Sequence, residues 1–307
     1  MANLINGIRE VWDQNLDQEI LLMEFIMRRY TIISFDTEYP GFLRNTPRNA
    51  SELKIYEDLK FNVDRLNPIQ FGFTLFDRTG NVGGTWQINF SDFDTEIDIN
   101  DCDASTSLSL TKRKSGIDFE KQRREGVLSR SFAHKFGEAL KHHANLEWVT
   151  FHGLYDFGYL TKVITGDKPL PGSSTGFRFL LGDIFGHKIY DGKFIARFCA
   201  GLCGGELGLK RLATTLNVKR IGKCHQAGSD CLVTALVFLK MKEIFNFDDR
   251  LYEGFLYALG GRVPRRKPQL QPILPQLYRP VIVRCVPNYI IQPRPVLRPS
   301  PYYFLPM

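Results

Sequence analysis

Apolar residues recur every three to four positions over 7–29, at Ile8, Val11, Trp12, Leu16, Ile20, Leu21 and Phe25. That spacing predicts one amphipathic helix. The β-branched run TIISFD (31–36) predicts a strand, and IQFGFTLFD (69–77) and GTWQINF (84–90) predict two more, joined as a hairpin by a turn around Gly80-Asn81. Residues 91–116 are acidic and Ser/Thr-rich, then basic at TKRK, and read as an exposed excursion. Helical patterns follow over 117–124 and 129–143, then a strand at 147–152 that runs straight into the helical YDFGYLTKVI. After a loop with Pro169 and Pro171, the pattern predicts a helix over 177–185, the short strand KIYD, and helices over 192–200 and 206–216. The last helix is GSDCLVTALVFLKMKEIF, with Ser229 as its N-cap.

Strands that lead and then alternate with helices imply an α/β domain with a mixed sheet flanked by helices. The pattern stops near residue 262. Eleven of the sixteen prolines lie beyond it, with no acidic residue and no periodicity, which predicts a folded domain over 1–261 and a disordered or extended tail over 262–307.

Three acidic islands stand out against this frame: Asp36 and Glu38 in SFDTEYPGF, Asp156 in FHGLYDFGYL, and Asp230 in CHQAGSDCL, with His225 five residues upstream. Side chains two apart on a strand share a face, so Asp36 and Glu38 project together. Pro40-Gly41 then forces a turn that sets the pair at a sheet rim. Asp156 and Asp230 each fall in the first turn of a helix. Four carboxylates so placed are hard oxygen ligands that suit two divalent ions, Mg²⁺ or Mn²⁺, and two-metal phosphodiester cleavage. His225 is placed to accept a proton from the attacking water. Taken singly, the pair would be exposed loop charges, the other two acids would serve helix dipoles, and His225 would be a loop histidine. Their joint occurrence, in this order and in these contexts, favours the site.

The formal charge of +7 invites a nucleic-acid reading, but its distribution changes the picture. From Arg262 onward there are eight basic and no acidic residues, so residues 1–261 hold 32 basic and 33 acidic side chains. Diffuse attraction to phosphate belongs to the tail, and the domain must act through a local site. The six cysteines contain no Cys-x-x-Cys and read as reduced thiols. A zinc cluster of Cys199, Cys203, Cys224 and His225 fits no usual finger spacing. No apolar run is long enough to span a membrane, and the opening segment lacks a signal-peptide core. A reducing compartment is expected: cytoplasm, with access to the nucleus.

The Asp-x-Glu, Asp and His-x4-Asp islands resemble the DEDDh exonuclease superfamily. The longer strings FDTEYPG, NVDRLNPIQFGFTLF, TWQINF, SGIDFEK, FHGLYDFGYL and RIGKCHQAGSDCLVTALVFLKM resemble, more narrowly, the Caf/Pop-type deadenylase subunit of the CCR–NOT complex, in a plant-like form. The resemblance runs from about residue 7 to 260. It implies an RNase H-like mixed sheet, 3′→5′ removal of poly(A) from mRNA with release of 5′-AMP, and assembly with a NOT scaffold subunit and a partner deadenylase. It also makes Asp36, Glu38, Asp156 and Asp230 the ligands of two Mg²⁺ (or Mn²⁺) ions and His225 the general base. A DEDDh exonuclease for other RNA or DNA ends, or a largely non-catalytic scaffold subunit, remain the alternatives. One departure is Leu154, where the family usually has a small residue, often glycine; its bulk is expected to reshape the backbone or crowd the substrate path. In the tail, Pro268-x-Leu270-x-Pro272 and Pro295-x-Leu297-x-Pro299 are preorganised ligands for a protein groove. By resemblance that groove is the MYND finger of the partner deadenylase. The tail's basic residues are alternatively a weak, salt-sensitive hold on RNA.

Overall fold

Asp36 and Glu38 end the strand around which the rest of the molecule is arranged. In the computed structural model, which describes residues 4–5, 7–93 and 116–259, that strand is β3 (Ile32–Glu38). The other strands are β1 (Leu4–Ile5), β2 (Ile8–Val11), β4 (Gln70–Phe76), β5 (Val82–Asn89), β6 (Glu147–Thr150) and β7 (Ile189–Asp191). They form one mixed seven-stranded sheet in the order β1-β2-β5-β4-β3-β6-β7. β3, β4 and β5 form an antiparallel meander, whereas β6 and β7 add in parallel beside β3. β6 pairs only with Ile32 to Ser34, so β3 runs on past it toward the site. The expected hairpin is present, its turn held by the Asp77 carboxylate, which accepts the N–H groups of Thr79 and Asn81 at 2.9 Å each.

The helices are α1 (Leu16–Met27), α2 (Glu52–Arg65), α3 (Phe119–Glu125), α4 (Ser129–Lys141), α5 (Leu154–Ile164), α6 (Ser174–Phe185), α7 (Gly192–Ala196), α8 (Leu209–Thr215) and α9 (Ala227–Phe245). Strand alternation divides them between two cores. Ile33, Phe35, Phe71, Phe73, Trp86 and Ile88 face the core shared with α1, α2, α4, α5 and α6. The opposite face meets α9 and is largely polar or small: Ser34, Asp36 and Glu38 on β3, Gln70, Gly72 and Thr74 on β4, Thr85 and Gln87 on β5. Ser34 Oγ donates to the Cys231 carbonyl at 2.7 Å, and Thr74 Oγ1 lies 2.9 Å from Thr85 Oγ1 and 3.2 Å from Cys231 Sγ. Among the described residues no helix is long and apolar enough to cross a membrane.

Two sequence expectations are corrected, and one helix is added. Residues 7–29 are not one helix: Ile8 to Val11 form β2, which pairs in parallel with β5 (Arg9 opposite Trp86), and only Leu16 to Met27 are α-helical. The break is held by Glu19 of α1. Its buried carboxylate takes the Arg9 guanidinium at 2.6 and 3.0 Å and the Trp86 indole N–H at 2.9 Å. Helix α2 was not anticipated at all. Ser51 caps it by accepting the N–H of Lys54. Ser229 is not an N-cap, because α9 begins earlier, after Gln226; the Ser229 hydroxyl instead donates to the Ile221 carbonyl at 2.7 Å. Residues 94–115 and everything from 260 onward, including the Pro-x-Leu-x-Pro motifs, lie outside the described residues.

Candidate active site

The site is built where the first turn of α9 lies on the end of β3 and β4. Gly72, the cross-strand neighbour of Asp36, makes this approach possible. A Cβ added at Gly72 would fall 1.9 Å from the Ala227 carbonyl oxygen, so only glycine lets the helix start rest on the sheet. Gly228 is also close-packed, a Cβ there falling 2.7 Å from Ile8 Cγ2 and 3.0 Å from Gln87 Cβ. The first N–H groups of the helix are capped by side chains of the sheet. Gln70 Oε1 accepts from Ala227 at 3.4 Å and Gln87 Oε1 from Gly228 at 3.1 Å. Both amides are buried and belong to a network in which Glu10 accepts from Gln87 at 3.0 Å and from Asn89 at 2.7 Å, and Gln70 donates to Asn89 at 2.8 Å.

This docking brings Asp230 to β3. Oxygen atoms of Asp36, Glu38 and Asp230 all lie within 4.8 Å of one another. Asp156, in the first turn of α5, stands just outside that trio, close enough for its charge to act on Asp36 and Glu38. The pair on β3 is not at an exposed rim, as the turn after it suggested. β3 is a central strand, and each side chain keeps only an edge to solvent. Burial, reinforced by the charges of Asp156, Asp230 and Glu38, holds Asp36 well above the usual carboxylate range. Burial first, then Asp230 and Asp156, pushes Glu38 up to about 8. Asp156 is likewise pushed up to about 8 by burial, with hydrogen bonds from Thr37 opposing and the charge of Asp191 adding to the rise.

Two residues that sequence reasoning missed shape this electrostatics. Arg220 holds Asp230 Oδ1 at 2.6 Å, donates to Ser229 Oγ at 3.0 Å, and opposes the rise at Asp36 and Glu38. A cation was to be expected beside so many acids, and Arg220 sits five positions before His225 in the same string. Asp191, fully buried at the end of β7, accepts backbone N–H groups from His152 (2.8 Å), Gly153 (3.1 Å), Lys193 (2.9 Å) and Tyr257 (2.9 Å). It thereby fixes the turn that launches α5 and presents Asp156. Its signal was an acid directly between a strand and a helix.

His225 is exposed, in the left-handed region at φ +59°, and its backbone N–H donates to Asp230 Oδ2 at 2.9 Å. The zinc reading fails. Cys199 is buried in the core under α9, Cys203 is exposed, and the metal-type cluster found among the described residues is the acidic trio. Leu154 does not face a substrate path; at 2% exposure it belongs to the large apolar core, as the first residue of α5. Beside the carboxylates, the rings of Tyr39, Phe42, Tyr155 and Tyr159 pack together with centroids 5.0–5.6 Å apart.

The model of the CAF1 family ribonucleases matches residues 11–148, a span that includes Asp36 and Glu38. The Arabidopsis thaliana protein named "probable CCR4-associated factor 1 homolog 1" is 40% identical over 255 residues, covering 82% of this chain and 68% of the relative. The chain belongs to the CAF1 family of ribonucleases. A second Arabidopsis member, "probable CCR4-associated factor 1 homolog 7", is 41% identical over 266 residues, covering 82% of this chain and 93% of that one. Among solved CAF1 structures, S. pombe Pop2p in its Mg²⁺- and Mn²⁺-bound form aligns with a TM-score of 0.71 at 36% identity, over 82% of this chain and all of that one. The yeast NOT1 MIF4G domain co-crystallised with CAF1 includes a chain that aligns with a TM-score of 0.68 at 25% identity, over 82% of this chain and 97% of that one. The fold is therefore the RNase H-like nuclease fold, with a mixed sheet flanked by helices.

Proposed function

We propose that this CAF1-family nuclease is a 3′→5′ exoribonuclease that shortens poly(A) tails with release of 5′-AMP, working as a subunit of the CCR–NOT complex. The observation that carries the reading is the convergence of Asp36, Glu38 and Asp230 within 4.8 Å, with Asp156 alongside. Asp36 and Glu38, raised by burial first and then by the charges of Asp156 and Asp230, belong to a donor set in want of cations, and hard oxygens suit Mg²⁺ or Mn²⁺. The Pop2p relative solved with both ions supports the same choice. Asp36, Glu38, Asp156 and Asp230 would hold the two divalent ions, which supply Lewis-acid stabilisation of charge on the attacking and leaving oxygens.

The chain's own groups account for the rest. His225 accepts the proton of the attacking water, from a loop fixed to Asp230 through its backbone N–H. The water oxygen bonds to phosphorus, and the 3′-oxygen of the preceding nucleotide leaves and is protonated. Arg220 holds Asp230 in place and offsets part of the negative charge. The partly exposed ring of Phe42 offers a face for a base, which a neutral domain needs for single-stranded RNA. The NOT1–CAF1 structure supports a NOT scaffold as partner. Residues 1–261 would be the nuclease domain, and the tail over 262–307 the ligand of the partner deadenylase's MYND finger, in cytoplasm and nucleus.

The test is a labelled RNA ending either in a run of adenosines or in mixed sequence, incubated with Mg²⁺. Shortening should be faster on the adenosine run and absent in Asp36→Ala. Equal rates on both would remove the poly(A) preference, and shortening that survives Asp36→Ala would remove the metal site.

A further inference from the structure

A nuclease that trims a long strand must hold the part of the strand it has not yet reached. Residues 1–261 carry a net charge of −1, so no broad field does this. Two arginines, Arg44 on the segment after β3 and Arg65 at the end of α2, offer charge locally. The Arg44 guanidinium lies 3.4 Å from the centre of the Phe61 ring, and that of Arg65 lies 3.8 Å from it. Both guanidinium groups lie against the Phe61 ring, and with the ring between them they would stand at most about 7 Å apart. That separation is comparable with the spacing of neighbouring phosphates on an extended single strand.

Both arginines are exposed, and among the described residues neither forms an ion pair with a carboxylate. The nearby acids of α2 are already engaged, Asp58 by Lys54 and Asp64 by Lys60. Arg65 makes one further bond, to the Phe61 carbonyl at 3.2 Å. The negative face of the ring offsets part of the repulsion between the cations, and an anion that bridges them would offset the remainder. Guanidinium forks match phosphate oxygens better than any other side chain.

The pair is tied to the reacting centre through the backbone. Arg44 closes the segment that leaves β3 directly after Glu38. Fully buried Asn62 of α2 pins that segment. Its Oδ1 accepts the N–H groups of Leu43 and Arg44, and its Nδ2 donates to the Arg44 carbonyl, each at 2.9 Å. The same Nδ2 donates to the Tyr155 hydroxyl at 3.0 Å, one residue from Asp156. A single amide thus links the arginine pair to the wall of the active site.

We infer that Arg44 and Arg65, both set against Phe61, bind consecutive phosphates of the single-stranded RNA leading into the active site. The inference rests on the ribonuclease reading and adds to it a substrate contact away from the bond that is cleaved.

The test compares the wild type with Arg44→Gln/Arg65→Gln and with Arg44→Lys/Arg65→Lys. Hydrolysis of a long oligoadenylate and of a dinucleotide is measured, along with metal-free binding of the long strand by fluorescence anisotropy across a salt series. For the glutamine pair, KM on the long strand should rise about tenfold, with kcat and the dinucleotide rate unchanged. The slope of log affinity against log salt should become shallower by about 1.4, the loss of two single-strand phosphate contacts. The lysine pair should recover the slope but only part of the KM. A wild-type KM and slope in the glutamine pair would overturn the clamp while leaving the nuclease reading intact. A wild type that hydrolyses nothing with metal, yet loses the same salt slope in the glutamine pair, would sustain the clamp and remove the nuclease reading.

Discussion

Gly72→Ala should disable the site without touching any residue that reacts. The new Cβ would sit 1.9 Å from the Ala227 oxygen, 2.1 Å from its carbonyl carbon and 2.7 Å from Gly228 N. To restore even a 3.0 Å separation the start of α9 must lift by about 1.1 Å. The opposing atoms are backbone, so no side chain can swing away. Overpacking of this kind costs about 1–3 kcal/mol, and weakening the Gln70 and Gln87 caps adds about 0.5–1.5 kcal/mol each. A total of about 2–6 kcal/mol lowers the melting temperature by roughly 4–24 °C for a domain of this size. Asp230 is carried on the displaced turn, and a 1 Å misplacement of a reacting group lowers the rate by about 10²-fold. The assay is a thermal melt paired with Mg²⁺-dependent RNA hydrolysis at a temperature where the variant stays folded. Gly137→Ala is the control: its Cβ enters open space on α4, and it should be neutral or stabilising by up to about 1 kcal/mol. Wild-type melting and turnover in Gly72→Ala would refute the account of how the helix start is seated.

Three further outcomes follow from the same electrostatics and packing. In the metal-free protein Glu38 and Asp156 titrate near 8, against about 4 when unfolded. The fold therefore holds protons that the unfolded chain releases; this stability is complete below about pH 4 and is lost as pH rises through about 8. Urea midpoints should decline across that window, and Mg²⁺ should restore most at its alkaline end; a flat profile would contradict the burial of these acids. Arg220→Gln removes the cation from Asp230 and should cost the metal-free protein about 3–5 kcal/mol at pH 8, with the difference shrinking toward pH 5 as Glu38 takes up its proton; an equal loss at both pH values would count against charge compensation. Leu154→Gly should cost about 2–5 kcal/mol as a core truncation, read by urea unfolding; unchanged stability with altered KM would restore a role in the substrate path.

The acids of the site were legible because each obeys a local rule. Period-2 alternation placed Asp36 and Glu38 on one face, the strand-to-helix switch placed Asp156 at a helix start, and the onset of the long apolar run placed Asp230 at another. What joins them was not legible, since it is made by residues remote in sequence. The caps on α9 come from Gln70 and Gln87, about 140 to 160 positions away, and a local rule therefore pointed to Ser229 instead. Residues 8–11 fit a helical period until their partner is known, and that partner is β5. α2 did carry a signal, since Tyr56, Leu59 and Val63 are spaced three and four apart behind Ser51. Arg220 required an argument from charge balance, which periodicity does not make.

The order in which the site is assembled follows from α9 being the last long element of the described chain. Ser34 meets Cys231 across 197 positions, and Tyr257 closes on Asp191 later still. During synthesis β3 emerges early, with Asp36 and Glu38 unpaired with Asp230, and the trio closes only when nearly the whole domain has left the ribosome. Closing so long a loop late makes these contacts slow to form. On the proposed reading, the nascent chain would not act on RNA until its folding is almost finished, and a chain cut short before α9 would lack Asp230 for good.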